Sequence, residues 1–203
     1  MKRLMSIATA LLVFACSPYG KVKNLDSHGT NVIAFGDSLT AGYGAGAGED
    51  WPSRVSASTN IPIINAGVSG DTTESALARI DEDVIARDPR IVIVGLGGND
   101  FLRGVPLSET EANLRAAVRR IQARGAMVVL LGFRFPSINA DYGAMYERVA
   151  DDEGCLLIDR VLKGILTDRR LKSDEIHPNA AGYALMATRI ARPLEKLIAK
   201  AKS

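Results

Sequence analysis

Asn31-Val32-Ile33-Ala34-Phe35-Gly36-Asp37-Ser38-Leu39-Thr40 decides how the chain is read, because four consecutive apolar residues run into a glycine and then at once into polar side chains. An unbroken apolar run, rather than an alternating one, is what a strand buried on both faces looks like. Four more runs follow at intervals of roughly thirty residues: Ile61 to Ile64, Ile91 to Val94, Met127 to Leu131 and Cys155 to Ile158. Between them, and after the last, lie stripes with a period near 3.6: Leu77, Ile80 and Val84; Leu114, Val118 and Ile121; Tyr142, Met145, Tyr146 and Val149; then Tyr183, Met186, Ala187, Ile190, Leu194 and Leu197.

Strand and helix in alternation demand right-handed crossovers and a parallel sheet covered on both faces, so the expected class is α/β, a three-layer α/β/α sandwich around five parallel strands. Pro62 cannot donate to a ladder, which puts the second run at an edge, as in the flavodoxin-like order 2-1-3-4-5. Asp71-Thr72-Thr73-Glu74 and Ser108-Glu109-Thr110-Glu111 read as capping boxes that start two of the helices, and Asp50-Trp51-Pro52 starts another. Pro193 is expected to kink or restart the last helix.

The first fifteen residues stand apart from this pattern. Lys2 and Arg3 precede an apolar stretch from Leu4 to Ala15, too short to span a bilayer as a helix and suited to a secretory signal. Val13-Phe14-Ala15-Cys16 resembles a bacterial lipobox, so Cys16 is a candidate for lipidation, with ordinary cleavage after the small Ala15 as the alternative. Residues 16–30 read as a tether, since they carry Pro18, Gly20, Asn24, Asp26 and Gly29 without periodicity. The expected organisation is therefore signal peptide 1–15, tether 16–30 and one domain, 31–203, exported to the periplasm or held at a membrane as a lipoprotein.

Composition narrows the function. Twenty-five Lys+Arg face 23 Asp+Glu, with no basic block, so nucleic acid is excluded as a partner. Loss of Lys2 and Arg3 would leave the mature chain formally neutral. Cys155 sits in an apolar run and reads as a small buried hydrophobe, so neither a disulfide framework nor a cysteine nucleophile is expected.

Ligands of an open parallel sheet bind beyond the carboxyl ends of its strands. There the sequence places Gly36-Asp37-Ser38-Leu39-Thr40, Asn65-Ala66-Gly67-Val68-Ser69-Gly70-Asp71, Gly95-Leu96-Gly97-Gly98-Asn99-Asp100 and Asp174-Glu175-Ile176-His177-Pro178. Of the two histidines, His28 lies in the expected tether, so imidazole chemistry falls to His177, with Asp174 three residues earlier able to orient its other ring nitrogen. Each residue taken alone has a plainer use. Ser38 and Asp37 suit a helix cap, Gly67 a turn and Asn99 a loop of unusual φ, while Asp-x-x-His is common on surfaces. One hydroxyl, one imidazole with a carboxylate, one close-approach backbone N–H and one amide, each at a strand end, form a combination that chance explains poorly.

These blocks resemble the SGNH hydrolases, also called the GDSL esterase/lipase family, over residues 31 to 191. Gly36-Asp37-Ser38-Leu39 is similar to the first family block, Asn65-Ala66-Gly67 with Ser69-Gly70-Asp71-Thr72 to the second, Gly97-Gly98-Asn99-Asp100 to the third and Asp174-x-x-His177-Pro178 to the last. The resemblance, closest to the thioesterase/lysophospholipase and arylesterase branch, implies a serine hydrolase of acyl or aryl esters, with lysophospholipids and thioesters as further substrates. It implies Ser38 as nucleophile, His177 and Asp174 as its partners, an oxyanion hole from Ser38, Gly67 and Asn99, and no cofactor or metal. Phe101, Leu102, Val105, Phe133 and Phe135 are the candidate acyl-binding residues, with helix–sheet core as their other use.

Three other readings compete with this one. Gly42-Tyr43-Gly44-Ala45-Gly46-Ala47-Gly48 is glycine-rich, yet no G-x-G-x-x-G can be laid on it, which removes dinucleotide binding and leaves a loop beside Ser38 that is expected to be mobile. Within the family, carbohydrate or peptidoglycan O-deacetylation is the alternative reaction. A non-catalytic, ligand-binding surface lipoprotein is the alternative of another class.

Overall fold

Burial is complete along the central runs: Ile33, Ala34 and Phe35, then Ile91 to Val94, then Met127 to Leu131 are all inaccessible to solvent. In the computed structural model, which describes residues 17–134 and 140–201, these runs form the strands expected of them. In chain order the elements are β1 (Asn31–Gly36), α1 (Ser38–Ala41), α2 (Trp51–Thr59), β2 (Ile63–Gly67), α3 (Thr73–Asp83), β3 (Pro89–Gly95), α4 (Gly98–Leu102), α5 (Leu107–Ala123), β4 (Met127–Leu131), α6 (Ala140–Glu153), β5 (Leu156–Ile158) and α7 (Ala180–Ala201). All strand pairs are parallel. The order is β2-β1-β3-β4-β5, with α3, α5 and α6 packed together and α2 against α7.

Register matters more for the site than any single contact. Gly36 of β1 lies opposite Gly67 of β2 on one side and Gly95 of β3 on the other, so three adjacent strands end on glycine at one level. A Cβ on Gly36 would overlap the Thr40 hydroxyl, and one on Gly67 would overlap the Ala41 amide nitrogen. Only glycine lets α1 lie directly across these strand ends.

Several local expectations are corrected. β2 begins at Ile63, so Pro62 precedes the strand, although β2 is the edge. α3 is capped by Thr72 and Ser75, one residue beyond the expected box, because the Asp71 carboxylate is occupied by Arg79 and Ser75. α5 has no side-chain cap: Pro106, with φ −54°, precedes Leu107 and puts Ser108 inside the first turn. α7 runs through Pro193 without restarting.

The segment from Ser17 to Thr30, expected to be a tether, is packed on the domain. Pro18–Lys21 form a 3-10 turn, Val22 is buried, and Tyr19 and Leu25 pack against the core. Lys23 donates its N–H to Gly154 O at 3.0 Å, and the Asn24 amide donates to Gln122 O and Ala126 O at 2.9 and 3.0 Å. Cys16 and the expected signal lie outside the described residues. No helix among the described residues is long and apolar enough to cross a membrane.

Candidate active site

The β1 chain leaves the sheet at Gly36 and turns at once into α1. Asp37 caps that turn by accepting the Leu39 N–H at 2.9 Å, and Gly42, with φ 86°, closes it. Ser38 is thereby the first residue of α1, where its N–H has no carbonyl one turn back to bond. The Asp37 carboxyl is buried beneath it. Burial pushes its pKa up from 3.8 to about 7; the Leu39 N–H and its own backbone oppose the rise, while the Asp71 and Asp100 carboxylates add to it.

A second loop, between Arg169–Leu171 and α7, carries the imidazole. Its base is closed by a bridge between Lys172 and Pro178 and by the Ser173 N–H donating to His177 O at 3.0 Å. Asp174 Oδ1 accepts the N–H groups of Ile176 and His177 at 2.9 and 2.8 Å, which holds the carboxylate beside the ring. Burial acts to raise the Asp174 pKa, but these two N–H groups and the imidazole outweigh it, so the carboxyl lies below the usual range. His177 Nδ1 is 2.8 Å from Asp174 Oδ2, and its Nε2 is 2.9 Å from Ser38 Oγ. With Nδ1–H donating to the carboxylate, Nε2 is left to accept the serine proton. The Tyr43 ring covers the imidazole with centroids 4.5 Å apart, and Tyr43 O accepts the Tyr183 hydroxyl at 2.8 Å.

A third loop brings Asn99. Gly97, with φ 109°, starts α4 in the left-handed region; a Cβ there would press on the Tyr146 hydroxyl, which itself donates to Leu96 O at 2.7 Å. One Asn99 amide hydrogen goes to Asp71 O at 2.8 Å, leaving the second for another acceptor. Beside it Asp100 is fully buried, accepting the Thr73 N–H at 2.9 Å and its hydroxyl at 2.5 Å. Ser38, Asn99, Leu102, Ile176 and His177 line one shallow cleft of about 30 Å³. A roomier cavity of about 240 Å³ at Arg134, Arg160, Leu162, Lys163 and Leu166 contains no imidazole.

The sequence-predicted residues divide. Ser38, His177 and Asp174 are joined in a line and Asn99 faces the same cleft. Gly67 is different: its N–H already donates to Asn65 Oδ1 at 3.0 Å, and its missing side chain makes room for α1. Three residues on, Gly70 has φ 88°, and its N–H has no partner among the described residues. Of the proposed acyl contacts, Leu102 lines the cleft at 51% exposure. Phe101 is half-buried, edge-on to Tyr142 at 5.4 Å. Val105 is half-buried and absent from the cleft lining. Phe133 is core, edge-on to Tyr146 at 6.1 Å. Phe135 lies outside the described residues. Sequence reasoning missed Tyr43, Val68 and Ile176, exposed apolar side chains on the same loops as Ser38, Gly70 and His177. The signal was clearest at Ile176, set between Glu175 and His177, where an apolar residue in a polar turn has few routes into the core. Among the described residues no group of three or more His, Cys, Asp or Glu is disposed to hold a metal.

A family model described as GDSL-like Lipase/Acylhydrolase matches residues 34–185. The chain is 31% identical over 175 residues to Thioesterase 1/protease 1/lysophospholipase L1 of Escherichia coli, covering 82% of this chain and 84% of that protein. It is 30% identical over 176 residues to an arylesterase of Vibrio mimicus, covering 81% and 88% respectively. It is also similar to the crystal structure of the psychrotrophic esterase EstA from Pseudoalteromonas sp., inhibited by monoethylphosphonate. The TM-score is 0.76 at 28% identity, over 83% of this chain and 98% of that one.

Proposed function

The chain belongs to the GDSL-like lipase/acylhydrolase family, and from that premise we propose that this esterase cleaves acyl and aryl carboxylic esters by way of Ser38, His177 and Asp174. The observation that carries the reading is the unbroken line from Ser38 Oγ through His177 to Asp174, at 2.9 and 2.8 Å. Ser38 Oγ attacks the ester carbonyl carbon while His177 Nε2 takes the hydroxyl proton. The tetrahedral intermediate collapses to an acyl-enzyme as His177 returns that proton to the leaving oxygen. Water then repeats the sequence against the acyl-serine. Asp174 keeps the ring in the required tautomer and stabilises the imidazolium.

The oxyanion is received by the Ser38 N–H and the second hydrogen of the Asn99 amide. Because Asn65 occupies the Gly67 N–H, we assign the remaining backbone donor to Gly70. Donors fixed before the charge develops are worth more than water, which must reorient.

Apolar groups favour acyl or aryl esters over sugars. Tyr43, Val68, Leu102 and Ile176 are all exposed on the loops that carry the site, an arrangement suited to an alkyl chain or a ring. For this reason O-deacetylation of a carbohydrate ranks second. In a compartment beyond the membrane, which the Leu4 to Ala15 stretch implies, lysolipids and incoming esters are at hand and acyl-CoA is not.

The test is Ser38→Ala, assayed on p-nitrophenyl esters from acetate to palmitate together with acyl-CoA, alongside labelling by a fluorophosphonate. Turnover is expected to fall to a residue of about 10³- to 10⁴-fold over water, and labelling to vanish. Wild-type turnover of p-nitrophenyl butyrate by Ser38→Ala would overturn the mechanism.

A further inference from the structure

Beneath the rim, a guanidinium that reaches no part of the cleft holds together the segments that form it. Arg79 projects from α3 with its side chain only 17% exposed. Its Nε donates to Asp71 Oδ2 at 2.7 Å and its Nη1 to Asp83 Oδ2 at 2.7 Å. Its Nη2 donates to two backbone carbonyls, Gly36 O at 3.1 Å and Ala66 O at 3.0 Å. The plane lies over the Phe35 ring, 4.6 Å from its centroid.

Three of the four acceptors belong to the ends of the site's own segments. Gly36 is two residues before Ser38, Ala66 ends the β2 run beside Gly67, and Asp71 follows Gly70. Asp71 passes the link onward, since its backbone carbonyl accepts the Asn99 amide at 2.8 Å. One rigid, planar group thus ties the strand before the nucleophile to the loop and the amide that face the developing charge. Packing α3 on the sheet does not require it, because Ala76 and Ile80 are fully buried on that helix. A buried charge is costly unless its donors are matched, and lysine, a point charge on a flexible stem, cannot reproduce a fork that serves four acceptors.

We infer that Arg79 is a positioning residue for ester hydrolysis, setting the distance between the Ser38 turn and the oxyanion donors on the Gly70 and Asn99 loops through Gly36 O, Ala66 O and Asp71. The inference rests on the reading of Ser38 and Asn99 given above. It acts through the placement of the donors and not through contact with the ester, because Arg79 does not line the cleft.

Arg79→Lys, Asp71→Asn and the double variant test it, with kcat and KM for p-nitrophenyl butyrate, the rate of Ser38 phosphonylation and the melting temperature measured on each. A misplacement of the donors by a fraction of an ångström to one ångström is expected to lower kcat about 10- to 100-fold. Phosphonylation should slow in parallel, KM should stay within about twofold, and melting should remain above the assay temperature. The double variant is expected to lose no more than the worse single one, because both break one linkage. A folded Arg79→Lys that keeps wild-type kcat, a loss that falls on KM, or losses that multiply in the double variant would each overturn the inference. Should Arg79→Lys fail to fold, the near-isosteric Asp71→Asn is judged by the same kcat and KM criteria. Ser38→Ala, run alongside, separates the two readings: inactivity there with full activity in Arg79→Lys removes the clamp and leaves the nucleophile standing.

Discussion

Asp37→Asn isolates the cost of burying a carboxyl next to Ser38, the proposed nucleophile. The group is 2% exposed and its pKa is pushed up from 3.8 to about 7. The sign follows from which state holds the proton. Below 3.8 both folded and unfolded chains carry it, and no penalty arises. Between 3.8 and about 7 the unfolded chain has ionised and the folded one has not, so stability falls as pH rises. Above about 7 the folded chain ionises too and the full penalty, about 4 kcal/mol, persists. Asparagine keeps the cap, since its side-chain oxygen accepts the Leu39 N–H as well as aspartate does, but it does not titrate. An unpaired amide N–H in that pocket costs about 1–3 kcal/mol at every pH; it offsets the comparison without tilting it. The measurement is urea unfolding of both proteins at four values from about pH 4 to about pH 8.5. The stability of Asp37→Asn relative to the parent is expected to rise by about 2–4 kcal/mol across that range, with contributions from other groups cancelling in the difference. A difference that does not change with pH would refute the argument, since it would mean the carboxyl is solvated.

Asn99→Ala should lower kcat by roughly 10²- to 10³-fold while leaving KM nearly unchanged, measured on p-nitrophenyl butyrate; a rise in KM alone would make Asn99 a ground-state contact. Gly67→Ala forces a methyl against the Thr40–Ala41 backbone, which is expected to cost about 1–3 kcal/mol in a thermal or urea melt, and an unchanged melt would refute the steric role. Cell fractionation should find the protein exported, in the membrane fraction with Cys16 and in the soluble exported fraction with Cys16→Ser. Recovery of an uncleaved wild-type chain from the cytosol would rule out the signal reading.

The central strand runs were legible because burial on both faces leaves an unbroken apolar pattern, and the approach of Ser38, His177 and Asp174 was legible because a chain with only two histidines offers few choices. What the sequence concealed depends on which partner a polar group finds. Nothing in Asn65-Ala66-Gly67 says that the asparagine oxygen turns back on the Gly67 N–H, so the sequence pointed to Gly67 as a donor and left Gly70, three residues on, unconsidered. The docked stretch from Ser17 to Thr30 hid for the same reason: Asn24, with φ 61°, fastens it to Gln122 and Ala126, residues about a hundred positions away. Phe133 was misread because a strand-end aromatic can turn inward or outward, and the Tyr146 ring behind it offers a core partner. Arg79 escaped notice because an arginine at an amphipathic boundary reads as a solvated face. Its four acceptors, Gly36, Ala66, Asp71 and Asp83, converge only when β1, β2 and α3 are assembled. Groups that react must be of a few chemical types and so leave a trace in composition, whereas groups that position can be met by any backbone carbonyl. The second kind is therefore where structure adds most to the reading of this site.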